Sequence, residues 1–183
     1  VNITNVLNGG TAKATSSIIC KGTFTTIKLT GQSGSIQWQT NNGGGPFKDI
    51  TINGNSNTLT TPNLTVPTTY RAVLSSGGCT PVYSNEVTIS IIPASVGGTA
   101  TPKYPTVCSG EVDTINLTGN VGSIQWQKDS SNIFVNIPGA TGSFYVTKPL
   151  TIQTTYRAMV TSSGCAPAAS SEALIFVSPG SKA

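Results

Sequence analysis

The segment GSIQWQ occupies residues 34–39, and the same six letters return at residues 122–127, 88 positions later. The triplet LTG at residues 29–31 returns at residues 117–119 with the same offset. A fixed period of this length indicates one structural unit that the chain uses twice.

Later parts of the sequence repeat with an offset of 86, since TTYRA at residues 68–72 returns at residues 154–158. The second copy has therefore lost two residues net between its Trp and its Tyr. The motif GGTA at residues 9–12 returns at residues 97–100, near the start of the second copy, which places the predicted domains at residues 1–93 and 94–183. So few residues separate the copies that we expect no flexible linker, end-to-end domains and restricted bending.

The composition favours short strands, because β-branched residues lie between Gly, Pro and Asn along the whole chain. Apolar residues alternate, as at Ile36 and Trp38, which is typical of a half-buried strand. Seven segments of the first copy, residues 10–14, 25–30, 35–39, 47–50, 58–64, 69–74 and 87–92, are predicted strands. The prediction is an all-β chain.

One Trp in the third strand and one Tyr that opens the sixth are typical of an immunoglobulin-like β-sandwich. In that fold the indole fills the centre and the Tyr hydroxyl caps a corner. The sequence therefore predicts two tandem immunoglobulin-like β-sandwich domains of about seven strands each. Their predicted core residues are Trp38, Tyr70, Trp126 and Tyr156.

Four further motifs flank the core strands: Cys-x-Gly at residues 20–22 and 108–110, and Gly-Cys at residues 78–79 and 164–165. Together with the QWQ and TTYRA segments, they make the chain resemble the immunoglobulin-like repeats of very large Bacteroidetes surface proteins. These include the flavobacterial gliding-motility adhesin and related chains exported by type IX secretion. The resemblance covers essentially the whole chain, and it implies an extracellular, surface-displayed adhesive segment without catalytic residues.

The four cysteines, Cys20, Cys79, Cys108 and Cys165, predict disulfides and an oxidising compartment, since the chain has no His and no Cys-x-x-Cys. Pairing within each copy would join Cys20 to Cys79 and Cys108 to Cys165. The alternative joins Cys20 to Cys165 across the junction, because a cysteine before the second strand and one after the sixth lie at opposite ends of a sandwich. A disulfide tolerates a Cα separation of only about 7 Å. The sequence leaves both pairings open.

The sequence lacks the residues that several classes of function require. Without His, nucleophilic catalysis has no usual base, and the six acidic residues are dispersed. The scattered lysines form no basic stripe for nucleic acid, and no apolar run is long enough for membrane insertion. We therefore predict a protein that is not an enzyme, with no catalytic, cofactor-binding or metal-binding residues.

The expected partners are neighbouring immunoglobulin-like repeats of the same chain, and a surface polysaccharide or an abiotic surface; the segment is expected to be a monomer. The alternative function is a carbohydrate-binding or accessory domain of a secreted multidomain enzyme. Its contacts would come from aromatic residues outside the core pattern: Phe47, Tyr83, Tyr104, Phe134, Phe144 and Tyr145.

Two further features predict surface roles. Thr114, in Asp113-Thr114-Ile115, fits the tripeptide at which Bacteroidetes attach O-glycans, as the resemblance implies. The tips at residues 41–46 and 130–132 differ while the strands agree. Contact with partners and drift without function explain that difference equally well.

Overall fold

The chain divides after Ile92 into two units, Val1–Ile92 and Pro93–Ala183, one residue before the boundary expected from the sequence. We call them domain one and domain two. The structure is a computed structural model that describes residues 6–179, and this part of the chain contains strands and turns but no helix. Accordingly, the described residues include no helix of the length and hydropathy needed to cross a membrane.

Domain one contains two sheets. The smaller has the order β1-β3-β6, and the larger has the order β2-β9-β7-β4-β5 with β8 paired to β7. The strands are β1 Thr11–Ala14, β2 Ile18–Cys20, β3 Thr26–Thr30, β4 Ser35–Asn41, β5 Lys48–Asp49, β6 Thr58–Thr60, β7 Thr68–Ser75, β8 Val82–Tyr83 and β9 Val87–Ile92.

Domain two repeats this topology, with the order β10-β12-β15 in the smaller sheet and β11-β18-β16-β13-β14 in the larger, where β17 pairs with β16. The strands are β10 Thr99–Pro102, β11 Thr106–Cys108, β12 Thr114–Thr118, β13 Ser123–Ser130, β14 Ile133–Asn136, β15 Phe144–Val146, β16 Thr154–Thr161, β17 Ala168–Ala169 and β18 Ala173–Ser178.

Each domain therefore has nine strands among the described residues, where the sequence predicted about seven. The two that were missed in domain one, β2 and β8, have three and two residues. Strands this short carry no alternation that a sequence pattern could reveal. β2 pairs in parallel with β9, so the first segment of the domain begins in the smaller sheet and continues in the larger one.

The core lies between the two sheets of each domain and surrounds the Trp. In β7, alternate residues from Thr68 to Leu74 are buried, as the period of a strand requires. Trp38 lies opposite Ala72, and Trp126 lies opposite Ala158. The small alanine side chains leave the space that the indole occupies, so packing replaces the disulfide that antibody domains place there.

The repeated GGTA motif reflects a close approach of two backbone segments. A Cβ atom at Gly9 would collide with the carbonyl oxygen of Tyr83, and one at Gly97 would collide with that of Ala169. The first glycine of each motif is therefore needed for packing against β8 or β17.

Candidate functional site

The two Trp residues lie inside the domains and offer no surface to a ligand. Both are fully buried. The indole N–H of Trp38 donates to the carbonyl oxygen of Ser56 at 2.8 Å, and that of Trp126 donates to Gly142 at 2.9 Å. The bonds satisfy the one polar group that an indole carries, so both residues serve the core.

The first Gln of each QWQ segment fixes the neighbouring strand. The amide nitrogen of Gln37 donates to the carbonyl oxygens of Trp38 at 3.0 Å and Ile50 at 2.9 Å. Gln125 makes the corresponding bonds to Trp126 and Ile137 at 2.9 and 2.8 Å. The first Gln of the repeated segment therefore binds backbone carbonyl groups of its own domain in both copies.

The second Gln belongs to a cluster on the outer face of the larger sheet of domain one. Arg71 lies between two aromatic rings, with its guanidinium carbon 3.8 Å from the ring centre of Phe47 and 4.4 Å from that of Tyr83. Its Nε–H donates to the Gln39 side chain at 3.0 Å, and its Nη1 lies 3.7 Å from the Glu86 carboxylate. We call these five residues the arginine cluster. Tyr83 remains about half exposed at its edge.

Domain two has a reduced version of the arginine cluster. Arg157 lies 3.9 Å from the ring centre of Phe134 and donates to Gln127 at 2.8 Å. The position of Tyr83 is occupied by Ala169, which has no ring to offer. Only domain one therefore encloses its arginine on both sides.

A cleft of about 610 Å³ opens beside the core of domain one, and Asp49 in its wall accepts a hydrogen bond from Gln39 of the arginine cluster. Its walls combine apolar side chains with hydroxyl, amide and carboxylate groups. They include Leu59, Leu64, Tyr70, Asn42, Asp49 and Ile52. Clefts of this volume and mixed polarity suit small organic ligands.

The cleft coincides with a substitution between the repeats. Leu59 pairs with Ile27 across the smaller sheet, and in domain two Tyr145 pairs with Ile115 at the same place. The ring of Tyr145 lies 6.1 Å from that of Trp126 and 5.6 Å from that of Tyr156. At the position where Leu59 lines the cleft of domain one, domain two therefore has a tyrosine ring packed beside its core.

A chain-length difference lies at the same edge. In domain one, the backbone carbonyl of Trp38 accepts a hydrogen bond from the N–H of Ile50, and the N–H of Trp38 donates to the carbonyl of Gly54. Three residues lie between Ile50 and Gly54. In domain two the partners of Trp126 are Ile137 and Ala140, with two residues between them. The extra residue of domain one belongs to the wall of the cleft.

Burial also affects the phenols near this edge. It raises the pKa of Tyr70 above its ordinary value of 10.0, and the adjacent Thr40 hydroxyl offsets part of the rise. In domain two, burial and the neighbouring Tyr145 raise the pKa of Tyr156 to about 12. Both phenols are therefore neutral hydrogen-bonding groups at physiological pH.

The cysteines correct one prediction. Cys20 and Cys165 are disulfide-bonded, whereas Cys79 and Cys108 are exposed free thiols. Pairing within each copy is therefore wrong. The reason is that Cys20 lies level with Ile92, beyond the first residue of β7, while Cys79 follows its last residue.

A strand of eight residues spans about 26 Å, which no disulfide can bridge. The same geometry separates Cys108 from Cys165, which lie beyond opposite ends of β16. The other pairing, Cys20 with Cys165, stays a prediction.

The tripeptide proposed for O-glycosylation has a structural role. Asp113 is buried, and its carboxylate accepts a hydrogen bond from the backbone N–H of Tyr104 at 3.3 Å. The backbone N–H of Asp113 donates to the Thr147 hydroxyl at 2.9 Å. Thr114 is half-buried in β12, between β10 and β15. Its glycosylation stays a prediction.

The aromatic residues expected to contact a ligand are not gathered in one place. Phe47 and Phe134 stack on arginines, and Tyr145 packs beside the core. Tyr83, Tyr104 and Phe144 are about half exposed. The cleft was missed because its lining residues, such as Asn42 and Leu59, are distant in the sequence and come together only once the strands are paired.

Within residues 6–179, no three His, Cys, Asp or Glu side chains approach one another closely enough to hold a metal ion. The acidic groups that do have partners bind protein groups, as Asp49 accepts a hydrogen bond from Gln39 at 2.8 Å.

Comparison with known proteins gives a family. A family model described as a domain of unknown function (DUF8696) matches residues 8–93 and again residues 96–179. The chain belongs to this family. Its two DUF8696 domains correspond to domain one and domain two. A search of curated proteins finds no match to the sequence.

Solved structures similar to the two DUF8696 domains include a marsupial T cell receptor. Its TM-score is 0.61 at 11% identity, covering 94% of this chain and 73% of that one. A chain from the crystal structure of the mouse coronavirus receptor-binding domain complexed with its murine receptor gives a TM-score of 0.53 at 12% identity, covering 91% and 98%. At such identities the likeness concerns the fold alone. It confirms the predicted all-β, immunoglobulin-like fold class.

Proposed function

We propose that the chain is a structural and adhesive segment of a large bacterial cell-surface adhesin of the Bacteroidetes type, serving surface attachment and gliding motility. The observation that carries the proposal is the direct repetition of one small sandwich with almost no chain between the copies. Neighbouring repeats, and a surface polysaccharide or an abiotic surface, are the proposed partners.

Backbone hydrogen bonds anchor the chain close to both sides of the junction between the two domains. The carbonyl of Ile92, the last residue of β9, accepts a bond from Lys21 at 2.8 Å. Val96 already exchanges two backbone hydrogen bonds with Val121, at 3.1 and 3.0 Å. The Ser95 hydroxyl accepts a bond from the backbone of Ser162 at 2.9 Å. Since only two residues remain between these anchored positions, the connection is too short to act as a flexible spacer.

The polar residues of the repeat support a role that needs surface and length more than reactivity. In both domains, the Gln side chains of QWQ and the Arg of TTYRA bond or stack on protein groups. These residues hold the sandwich together, so the repeated part of the sequence is accounted for by structure. An extracellular location agrees with the disulfide state of Cys20 and Cys165.

Surface display is the first test. An antibody raised against the chain should label intact, unpermeabilised cells of the parent organism. Labelling only after permeabilisation would overturn the proposal.

Deletion tests the adhesive part. Removing the codons for residues 8–179 from the parent gene should reduce attachment of cells to glass and their gliding, while the shortened protein is still displayed. The matched control replaces the segment with two unrelated immunoglobulin-like domains. Restored attachment would mean that the segment only spaces the adhesin, whereas a lasting defect would mean that it also binds the surface. Unchanged attachment in the deletion strain would overturn the proposal.

The cleft of domain one favours a second candidate function, the binding of a carbohydrate, either in the adhesin or as an accessory domain of a secreted enzyme. Its wall offers the Asp49 carboxylate and the Asn42 amide beside apolar Leu59 and Ile52. Sugars combine hydroxyl groups with apolar faces and suit such a mixture. A glycan array probed with the chain tests the idea, and the control is Leu59→Tyr, which places in domain one the side chain that domain two carries. A hit that survives this substitution does not use the cleft, and an array without hits removes the candidate.

A further inference from the structure

We propose that Cys79 and Cys108 are cross-linking positions that join this chain by disulfides to other domains of the same type. Cys79 would pair with a cysteine at the strand-end position that Cys108 occupies, and Cys108 with one at the turn position that Cys79 occupies. The oxidation states of the cysteines are asymmetric: each disulfide-bonded cysteine has a free cysteine as its equivalent in the other domain.

Cys20 and Cys108 have the same backbone setting. The carbonyl of Cys20 accepts a bond from the N–H three residues on, at Thr23, at 3.0 Å, and the carbonyl of Cys108 accepts one from Glu111 at 3.1 Å. In each Cys-x-Gly motif the glycine has a positive φ, 83° in the first domain and 94° in the second. The strand-end cysteine of domain two is therefore held in the geometry of its disulfide-bonded equivalent.

Cys79 and Cys165 also share one setting. Each closes a four-residue turn, in which its N–H donates to the carbonyl of Ser76 at 3.1 Å or of Ser162 at 2.9 Å. The turn cysteine of domain one thus has the backbone arrangement of a residue that is disulfide-bonded in domain two.

Each kind of cysteine occurs once bonded and once free. Cys20, at a strand end, and Cys165, in a turn, are bonded, while Cys108 and Cys79 are exposed thiols. Within one domain the strand-end and turn cysteines lie beyond opposite ends of an eight-residue strand. A free turn cysteine can therefore meet a strand-end cysteine only in another domain, and the exposure of both thiols leaves them accessible to one.

Disulfide formation is an oxidation and needs an electron acceptor. We assign that role to a low-molecular-weight disulfide such as oxidised glutathione. The thiolate of one cysteine attacks that disulfide, forms a mixed disulfide and releases one glutathione. The thiolate of the second cysteine then attacks the protein sulfur of the mixed disulfide and releases the other glutathione. Two protein thiols have lost two electrons and two protons, and one glutathione disulfide has become two thiols.

The test uses the purified chain in a glutathione redox buffer, followed by non-reducing electrophoresis and mass spectrometry of linked peptides. Tandem domains experience effective concentrations on the order of millimolar, so the chain is incubated at about 1 mM. The wild type should form dimers and longer oligomers that dithiothreitol dissolves. The linked peptides should contain Cys79 and Cys108.

Three serine variants make the result specific. Cys79→Ser alone and Cys108→Ser alone should stay monomeric, since the first has no free turn cysteine and the second has no free strand-end cysteine. An equimolar mixture of the two should give a dimer and nothing longer, because only one heterologous bond can form. The double variant controls for exchange at Cys20 and Cys165. Both substituted side chains are exposed, so folding should not change.

Two outcomes would overturn the inference. One is a wild type that stays monomeric at that concentration with both thiols still open to alkylation. The other is dimerisation of either single variant as readily as of the mixture, which would indicate unspecific oxidation. Neither outcome touches the surface-labelling experiment, so this inference and the proposed function fail separately.

Discussion

Domain one and domain two share the six letters GSIQWQ, yet they differ in the side chain that faces the core from the smaller sheet. In domain two, the ring of Tyr145 packs between Trp126 and Tyr156. In domain one the same position holds Leu59, and a cleft opens there. The repeated segments therefore give both domains the same frame, whereas one position on a partner strand changes the side chain that packs at the edge of the core.

The outer face of the larger sheet shows a second difference. Arg71 is enclosed by Phe47 and Tyr83, while Arg157 is covered by Phe134 alone. Both differences lie outside the segments that the two copies share. Together they show that the two domains share one frame but present different surfaces, and that in domain one a second aromatic ring, Tyr83, covers the arginine.

The largest effect is expected from removing the buried Trp that both domains share. Trp126→Ala should destabilise domain two by about 3–5 kcal/mol, since a fully buried indole leaves a cavity. Calorimetry of the whole chain should show one lowered transition and one unchanged. Trp38→Ala is the matched variant and should lower the other transition. If either substitution lowered both transitions equally, the two domains would not unfold independently.

Exchanging the residues that distinguish the domains should have a smaller effect. Tyr145→Leu removes two aromatic contacts and should lower the free energy of unfolding of domain two by about 1–3 kcal/mol, as urea denaturation would measure. The reciprocal Leu59→Tyr should cost domain one little, because the cleft offers the space. A loss above about 3 kcal/mol for Leu59→Tyr would mean that the cleft cannot accept the ring.

Alkaline pH provides a test without mutation. The folded-state pKa of Tyr156 is about 12, above the ordinary 10.0, so its neutral form stabilises the fold fully below pH 10. This contribution is lost as the pH rises from 10 to 12, at about 1.4 kcal/mol for each unit by which the pKa is raised. Phenolate absorbance should show Tyr156 ionising later than an exposed tyrosine, and Tyr156→Phe should remove the late step. Ionisation of all tyrosines near pH 10 would contradict the burial of this phenol.

The smallest effect concerns the arginine cluster. Tyr83→Ala should lower the stability of domain one by about 0.5–1 kcal/mol, because the guanidinium loses one of its two rings. Ala169→Tyr in domain two should recover a similar amount if the added ring reaches Arg157. Urea denaturation of both variants measures the pair. No change in either would show that the second ring contributes nothing.

Much of the fold follows from the sequence because its signals are periodic and local. The alternation around Trp38 predicted the buried face of β4, and the shared motifs predicted two domains of one kind. The strands β2 and β8 escaped prediction since they contain three and two residues and depend on pairing with distant strands.

The candidate sites were less predictable. The QWQ and TTYRA motifs indicated a repeat, but that Gln39 bonds to Arg71 depends on the pairing of β4 with β7. Phe47 and Tyr83 were expected as ligand contacts, yet both rings stack on an arginine of the same domain. The pairing of the cysteines depends on which ends of strands meet, and spacing along the chain does not encode that.

The parallel pairing of β2 with β9 has a mechanical consequence. A force applied to the two ends of domain one would first peel β1 from β3, and it would then pull β2 and β9 in opposite directions along their common axis. The hydrogen bonds between parallel strands loaded in this way are sheared together, whereas those of a hairpin break one after another. Single-molecule stretching would measure this as a rupture force higher than that of unzipping. We therefore expect β2, a strand of only three residues, to set the force that domain one withstands before it unfolds.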